Sequence, residues 1–303
     1  MSDSTASLQR KIATAGDLQS VVRTMKALAA SSIGQYEKSV RALGDYYRTV
    51  ELGLGACLRK RAPAEVTQAT NTPIRAGAIG AIVFGSDQGL VGQFNELIVD
   101  YSMKALGPLL HKARVWAVGE RVRARLADAG LKPVGVFAVP NSVDGIAPLV
   151  GRVLLETESH RSAGEITELH LFYNHPRSGS VYEPVSRRLL PLDAAWHRKR
   201  AELLWPTPSL PEVMGTGTTT LRALIREYLF ISLFRACAES LASENASRLA
   251  AMERADQNIN ELLETLRGTF QRLRQTSIDE ELFDVISGFE AQLRPKRQPP
   301  GGP

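Results

Sequence analysis

From about Leu8 to Leu54 the apolar positions fall at Leu18, Val22, Met25 and Ala29, then at Tyr36, Val40, Leu43, Tyr47, Val50 and Leu54. The steps alternate four and three, which is the seam of a coiled coil rather than the wider stripe of a surface helix. The same pattern returns between Leu221 and Phe289, at Leu249, Met252, Ile259, Leu263, Leu266, Phe270 and Leu273. Two lone seams in one chain most economically bury each other. At 1.5 Å of rise per residue the two segments predict rods of roughly 75 and 105 Å, longer than a globule of 303 residues needs. Gly34 and Gly44 would each cost a helix interior about 1 kcal/mol relative to alanine, and they read as points of close packing or slight bending.

Between the seams the period changes. Ala78 to Phe84 is a short apolar run bounded by glycine, suited to a buried parallel strand. Gly85 to Asn95 then turns the chain into a helix that runs to about Leu110. Further strands are expected at Arg114–Val118, Pro133–Val139 and Ile166–Asn174, with helices at Glu120–Ala129 and Ala147–Glu158 and an edge strand at Val181–Leu190. Strands alternating with helices imply right-handed crossovers and a mainly parallel sheet. The predicted class is α/β: a long antiparallel coiled coil of N- and C-terminal helices with an inserted Rossmann-like domain. The expected boundaries are 1–62 for the first helix, 76–192 for the α/β domain, 212–290 for the second helix and 291–303 for a disordered basic tail. Residues 62–75 read as a linker, and Pro191 to Pro211 as an irregular connection.

Composition changes this picture little. Apolar residues make up 44% and charged residues 23% of the chain, as in an ordinary soluble globular protein. A net charge of +5 and a pI near 9.3 favour an acidic partner or anionic surface. The basic residues are spread out and form no nucleic-acid-binding signature. Cys57 and Cys237 make no disulfide framework, which suits a reducing compartment. No apolar run is long enough to span a bilayer, and Met1 to Ser7 lack a signal core. The expectation is a cytosolic chain, or one peripheral on a cytoplasmic membrane face.

Candidate chemistry is sparse. The glycines of Gly85 to Gly92 follow a strand and open a helix, but their spacing matches neither the dinucleotide fingerprint nor the P-loop. A tight turn is the preferred reading, with Ser86 and Asp87 capping the following helix. His111, His160, His170, His175 and His197 are scattered, without the i,i+4 pair of a metalloprotease helix. Ser86 lacks the nucleophile elbow, and no Cys–His pair is close in sequence. Asp279-Glu280-Glu281 reads as a solvated face. No catalytic residue, cofactor or metal is expected.

Five stretches do carry a resemblance. Thr24-Met-Lys-Ala-Leu-Ala-Ala-Ser31 resembles the T-x-A-M-x-M-V-A-A-S-K stretch of the gamma subunit of F-type ATP synthases. Gly85-Ser-Asp-Gln-Gly-Leu-Val-Gly-Gln-Phe-Asn95 is similar to that family's S-D-R-G-L-C-G-G-x-N loop. Glu239-Ser-Leu-Ala-Ser-Glu-Asn-Ala-Ser-Arg-Leu-Ala-Ala-Met252 resembles E-S-x-A-S-E-x-A-A-R-M-V-A-M. Leu273 to Leu282 and Val285 to Gly288 resemble A-R-Q-x-x-I-T-x-E-L and I-V-S-G. Together they run in order from about Gln9 to Glu290.

The resemblance implies a mechanical part: the central stalk that turns inside a hexamer of alpha and beta subunits, with its foot on the membrane c-ring and an epsilon subunit beside it. It implies that Met25 and Lys26 meet an acidic lever of a beta subunit, and that Arg274 and Gln275 meet a loop of one beta subunit higher up. Ser86, Asp87 and Gln88 would belong to a foot loop. The implied location is the cytoplasmic face of a bacterial plasma membrane, with no nucleic acid and no small-molecule substrate. Gln88, Val91 and Gln93 depart from the family's Arg, Cys and Gly. Trp205-Pro206 stands where many relatives have Glu-Pro near the ring, and the basic extension past Gly288 is longer than usual. These departures suggest a divergent or alternative ATPase, coupled to protons or sodium. A second reading, from the residues alone, is a coiled-coil dimer carrying a Rossmann-like ligand-binding domain, with nucleotide at Gly85 to Gly92.

Overall fold

A computed structural model describes residues 5–59, 78–177, 180–209, 211–213 and 217–293. The expected linker and basic tail lie outside these residues, apart from the last turn of the C-terminal helix. The elements in chain order are α1 (Thr5–Leu58), β1 (Ala78–Phe84), α2 (Phe94–Leu106), β2 (Arg114–Val118), α3 (Glu120–Asp128), β3 (Gly135–Phe137), α4 (Ile146–Ser162), β4 (Ile166–Arg177), β5 (Ser180–Leu190), α5 (Ala194–Ala201) and α6 (Gly217–Leu293). The chain divides into two compact units, residues 27–251 and residues 1–26 with 252–303. Both long helices contribute to both units.

The larger unit holds a five-stranded sheet of order β3-β2-β1-β4-β5. Four strands are parallel and β5 runs antiparallel to β4 at the edge. Because side chains alternate across a strand, Ala81, Val83, Val115 and Ala117 pack under α2 and α3 with Ile98, Val99, Val122 and Leu126. Their neighbours Ile82, Phe84, Trp116 and Val118 face the other way, into a core with α4 and the α1 and α6 segments of this unit. The expected third strand shrinks to three residues. Its Gly135 is where a Cβ would come within 2.7 Å of the Trp116 ring, so strand and ring share one space.

In this unit α6 is enclosed nearly all round. Leu221, Ile225, Tyr228, Ile231, Leu233, Ala236, Cys237, Ala238, Leu241 and Ala242 are buried; Arg222, Ala223 and Arg226 face solvent in the first turns, and from Tyr228 to Ala251 no residue is exposed, the pattern of a helix with no solvent face. Its partner segment of α1 buries Ala29, Tyr36, Val50, Leu54 and Leu58 at seam positions. Neither Gly34 nor Gly44 meets a neighbour. The close approaches lie at Gly53, against Leu224, and at Gly55, where a Cβ would stand 2.7 Å from the Arg200 carbonyl oxygen. Cys57 and Cys237 are both buried thiols, and burial pushes Cys237 up from its ordinary value.

The connection expected to be irregular contains α5. Asp193 caps it, its Oδ1 accepting the Trp196 amide at 2.8 Å while Arg188 holds Oδ2. Arg200 then reaches back between two rings. Its guanidinium carbon lies 4.3 Å from the Trp196 centroid and 4.8 Å from that of Tyr228. One of its nitrogens also donates to Tyr228 Oη at 3.0 Å and to Glu51 at 3.2 Å. Cation–π stacking and charged hydrogen bonding thus act on one buried group.

The smaller unit is an antiparallel helix pair. Leu8 and Ala15 are buried from α1, with Met252 and Leu263 from α6. The seam runs one residue out of phase with the expected Leu18, which is 54% exposed. Gln19 takes the seam position instead, donating to Asp256 at 3.2 Å and to Asn260 at 2.5 Å. Arg23 adds a 3.3 Å bond to the same carboxylate. A polar layer therefore interrupts the apolar seam.

Candidate functional site

Two of the stretches that stood out in the sequence meet in space. The loop after β1 (residues 85–93) and the α6 segment 239–248 lie together at the carboxyl ends of β1 and β4. This is where the strand order reverses and where open α/β sheets ordinarily bind their ligands. Here the crevice receives the protein's own helix. Ser247 Oγ donates to the Val91 carbonyl at 2.5 Å, and Ser243 Oγ to the Asn174 carbonyl at 3.0 Å. Asn174 Nδ2 in turn donates to the Phe94 carbonyl at 3.0 Å.

The loop is tightly specified. Gly85 has no room for a side chain, since a Cβ would lie 2.3 Å from that of Val122 and 2.6 Å from Asn95 Oδ1. Gly119, at φ 119°, passes equally close to the Ser86 backbone. Leu90 sits at φ 64°, a left-handed conformation uncommon for a leucine. Ser86 and Asp87 do not cap α2 as expected. Ser86 is fully buried, its amide donating to Asn95 Oδ1 at 3.0 Å and its hydroxyl to the Gln88 carbonyl at 2.8 Å. Asp87 spans two other elements, accepting the Glu120 amide at the start of α3 and the Val139 amide beyond β3, both at 2.8 Å. A carboxylate thus occupies a helix N-terminus that could otherwise hold a phosphate. Gln88 is exposed.

Behind the loop α6 carries two buried carboxylates shifted in opposite directions. Burial drives Glu239 upward, but Arg235 at 2.7 Å and His175 at 2.9 Å outweigh it and hold the carboxyl below its ordinary value. For Glu244 burial wins: its carboxyl is pushed up, against the opposing charge of Arg248 at 2.6 Å and with the charge of Asp87 adding to the rise. Glu244 Oε2 has no hydrogen-bond partner among the described residues. A polar cleft of about 130 Å³ remains beside these groups, lined in part by Tyr36, Asp87, Asn141 and Glu244.

The other predicted site residues lie on the smaller unit, and the structure does not bring them together. Met25 is half-buried, and Lys26 Nζ stands 3.5 Å from Glu253. Arg274 and Gln275 are exposed farther along α6, Gln275 donating to Asp279 at 3.1 Å. About twenty residues of helix, roughly 30 Å, separate Glu253 from Arg274. The run beyond is exposed throughout, Ile278, Leu282, Phe283, Val285, Ile286 and Phe289 included. Asp279 to Glu281 lie on that solvated stretch. Sequence reading missed the polar layer at Gln19 and the role of Asp87. Carrying the four-three steps forward from Leu8 through Ile12 and Ala15 would have found the first. No local signal marked the second.

These features define a class: antiparallel terminal helices with a doubly wound sheet whose ligand crevice is filled by its own C-terminal helix. The chain belongs to the ATP synthase family, whose model matches residues 4–292. It is 25% identical to the ATP synthase gamma chain of Desulfitobacterium hafniense, over 94% of this chain and 97% of that one. It is 27% identical to that of a Polaromonas species, over 94% and 98%. Among solved structures it resembles a chain of the Euglena gracilis mitochondrial ATP synthase assembly of OSCP, F1 and c-ring, with a TM-score of 0.64 at 15% identity, covering 98% of this chain and 99% of that one.

Proposed function

We propose that this chain is the central rotor stalk of an F-type ATP synthase, coupling ion flow through a membrane c-ring to ATP synthesis or hydrolysis in an alpha–beta hexamer. The observation that carries the reading is the bare end of α6. Six large apolar side chains between Ile278 and Phe289 stand in solvent, an exposure that marks a surface made for a partner. A sleeve formed by the hexamer would cover it.

The chain does no chemistry in this reading. It transmits torque, and its asymmetry makes three catalytic sites differ in turn. Met25 and Lys26 face an acidic lever of a beta subunit, Arg274 and Gln275 meet a beta-subunit loop, and the loop of Ser86, Asp87 and Gln88 belongs to the foot, beside the epsilon subunit. In this reading the helices of 1–62 and 212–290 form the shaft, and 76–192 is the inserted α/β domain. No described helix is long and apolar enough to cross a membrane. We place the chain as a peripheral subunit on the cytoplasmic face of a bacterial plasma membrane. The departures at Gln88, Val91, Gln93 and Trp205 favour a divergent ATPase; a gene neighbourhood of ordinary subunits, with no second ATPase in the genome, would remove that refinement.

Against the ligand-binding alternative, α6 packs into the crevice beside the loop of residues 85–93. Co-expression with the neighbouring alpha and beta genes tests the proposal. It predicts one copy of this chain per three alpha–beta pairs, hydrolysis that depends on the chain, and reduced hydrolysis in Lys26→Ala and Arg274→Ala. Failure of the three folded subunits to assemble would overturn it.

A further inference from the structure

Ser32 and Tyr36 are one turn apart on α1, and Glu244 and Arg248 one turn apart on α6, so each pair shares a helix face. In the larger unit both pairs line the polar cleft of about 130 Å³ behind the loop after β1, whose wall also includes Asp87 and Asn141. Glu244 is 6% exposed. One of its oxygens accepts from Arg248 at 2.6 Å, and the other, Oε2, has no partner among the described residues. A buried carboxylate oxygen in that state is costly and calls for a donor or a cation beside it. Tyr36 is buried as well, close enough for the charges of Glu244 and Arg248 to act on its hydroxyl.

Size and lining limit what the cleft can hold. At roughly 30 Å³ per water it has room for about four, well short of the ~300 Å³ at which pockets for organic ligands begin. The carboxyl, hydroxyl and amide groups on its wall offer oxygen, and the wall carries neither thiol nor imidazole. Such a set suits a hard cation rather than a transition metal. Two carboxylates against one guanidinium leave a single negative charge. Only one carboxylate oxygen is uncommitted, because both of those of Asp87 accept backbone amides at 2.8 Å. A divalent ion would be left with unbalanced charge and too few carboxylate oxygens. We propose that this cleft binds a monovalent alkali-metal cation, held by Glu244 Oε2 and the hydroxyls of Ser32 and Tyr36, with water completing its shell. The ion would offset the burial and the Asp87 charge that both act against an ionised Glu244. It would tie α1 and α6 together behind the loop, leaving exposed Gln88 free to meet a partner subunit. The site is independent of the rotor reading.

The test is thermal unfolding of the full chain at pH 8 in choline, sodium or potassium chloride at one ionic strength. A dissociation constant of about 10 mM would shift the folding equilibrium roughly tenfold at about 100 mM alkali ion. The sodium NMR resonance should broaden when the chain is added. Glu244→Gln should unfold at the same midpoint in all three salts and leave the resonance sharp. Tyr36→Phe should weaken the alkali response about threefold, and it decides the matter if the glutamine variant fails to fold. Equal wild-type midpoints in choline and both alkali salts overturn the proposal, since the cleft would then hold water alone. So does an alkali response that survives Glu244→Gln, or one that Tyr36→Phe leaves unchanged where the glutamine variant does not fold. A response to magnesium with none to sodium or potassium overturns it too.

Discussion

Ser247 and Val91 lie 156 residues apart in the chain and are joined by a 2.5 Å hydrogen bond from the serine hydroxyl to the valine carbonyl. The bond is buried and ties the loop after β1 to α6. Ser247→Ala leaves that carbonyl unpaired in the interior, at a cost of about 1–3 kcal/mol. Thermal unfolding should show the loss, and limited proteolysis should find the loop of residues 85–93 opened. A loop as protected as in the parent would mean that Ser243 and Asn174 hold it alone.

Arg200 is the fastening of α5. Arg200→Ala strips the faces of Trp196 and Tyr228 and leaves Glu51 without its partner, a loss of about 3 kcal/mol. Arg200→Lys should recover less than half of it, because an ammonium cannot stack on two rings and also hold the same hydrogen bonds. Melting temperatures of the two variants decide this, and a lysine variant equal to wild type would refute it.

Glu239 and Glu244 should give stability opposite dependences on pH. Glu239 is held below its ordinary value, so its contribution is present above the usual carboxylate range and fades as pH falls through the lowered value. Glu244 is raised, so the folded state binds its proton more readily than the unfolded one, and its contribution fades as pH climbs from the ordinary value through the raised one. Melting temperatures of Glu244→Gln relative to wild type should therefore be higher at pH 8 than at pH 4, and those of Glu239→Gln lower. The same sign for both would contradict the assignment.

Gln19 sits in the seam where an apolar residue would bury more surface. Gln19→Leu should stabilise the helix pair by about 1 kcal/mol and weaken its specification of register, the use for which polar seam positions are best attested. Paired cysteines at Lys26 and Glu253 read the register directly, and their cross-linking yield should fall in the leucine background. An unchanged yield would leave the layer with no such role.

Much of this was legible in the sequence, for reasons that also mark where legibility stops. The seams and the strands at β1, β2 and β4 declare themselves because burial imposes a period. Leu18 misled because it keeps the four-three step with Val22 and Met25, whereas the packed register below Val22 runs through Ala15 and Gln19. The helix α5 hid among prolines, although Asp193 three residues before Trp196 is a capping signal. Asp87 could not be read locally at all, since its partners, Glu120 and Val139, come from elements distant in sequence. The meeting of the β1 loop with residues 239–248 was likewise invisible, though both stretches had drawn attention separately.

The two thiols of the chain, Cys57 and Cys237, are enclosed in the core of the larger unit. Maleimide reagents act on accessible thiolate, and these two offer little of it. A cysteine introduced on an exposed position, Leu28 or Leu155 for instance, would be the dominant reactive handle on an otherwise native sequence. Fluorophores or beads could then be attached to follow turning motion molecule by molecule, without first stripping the native cysteines out.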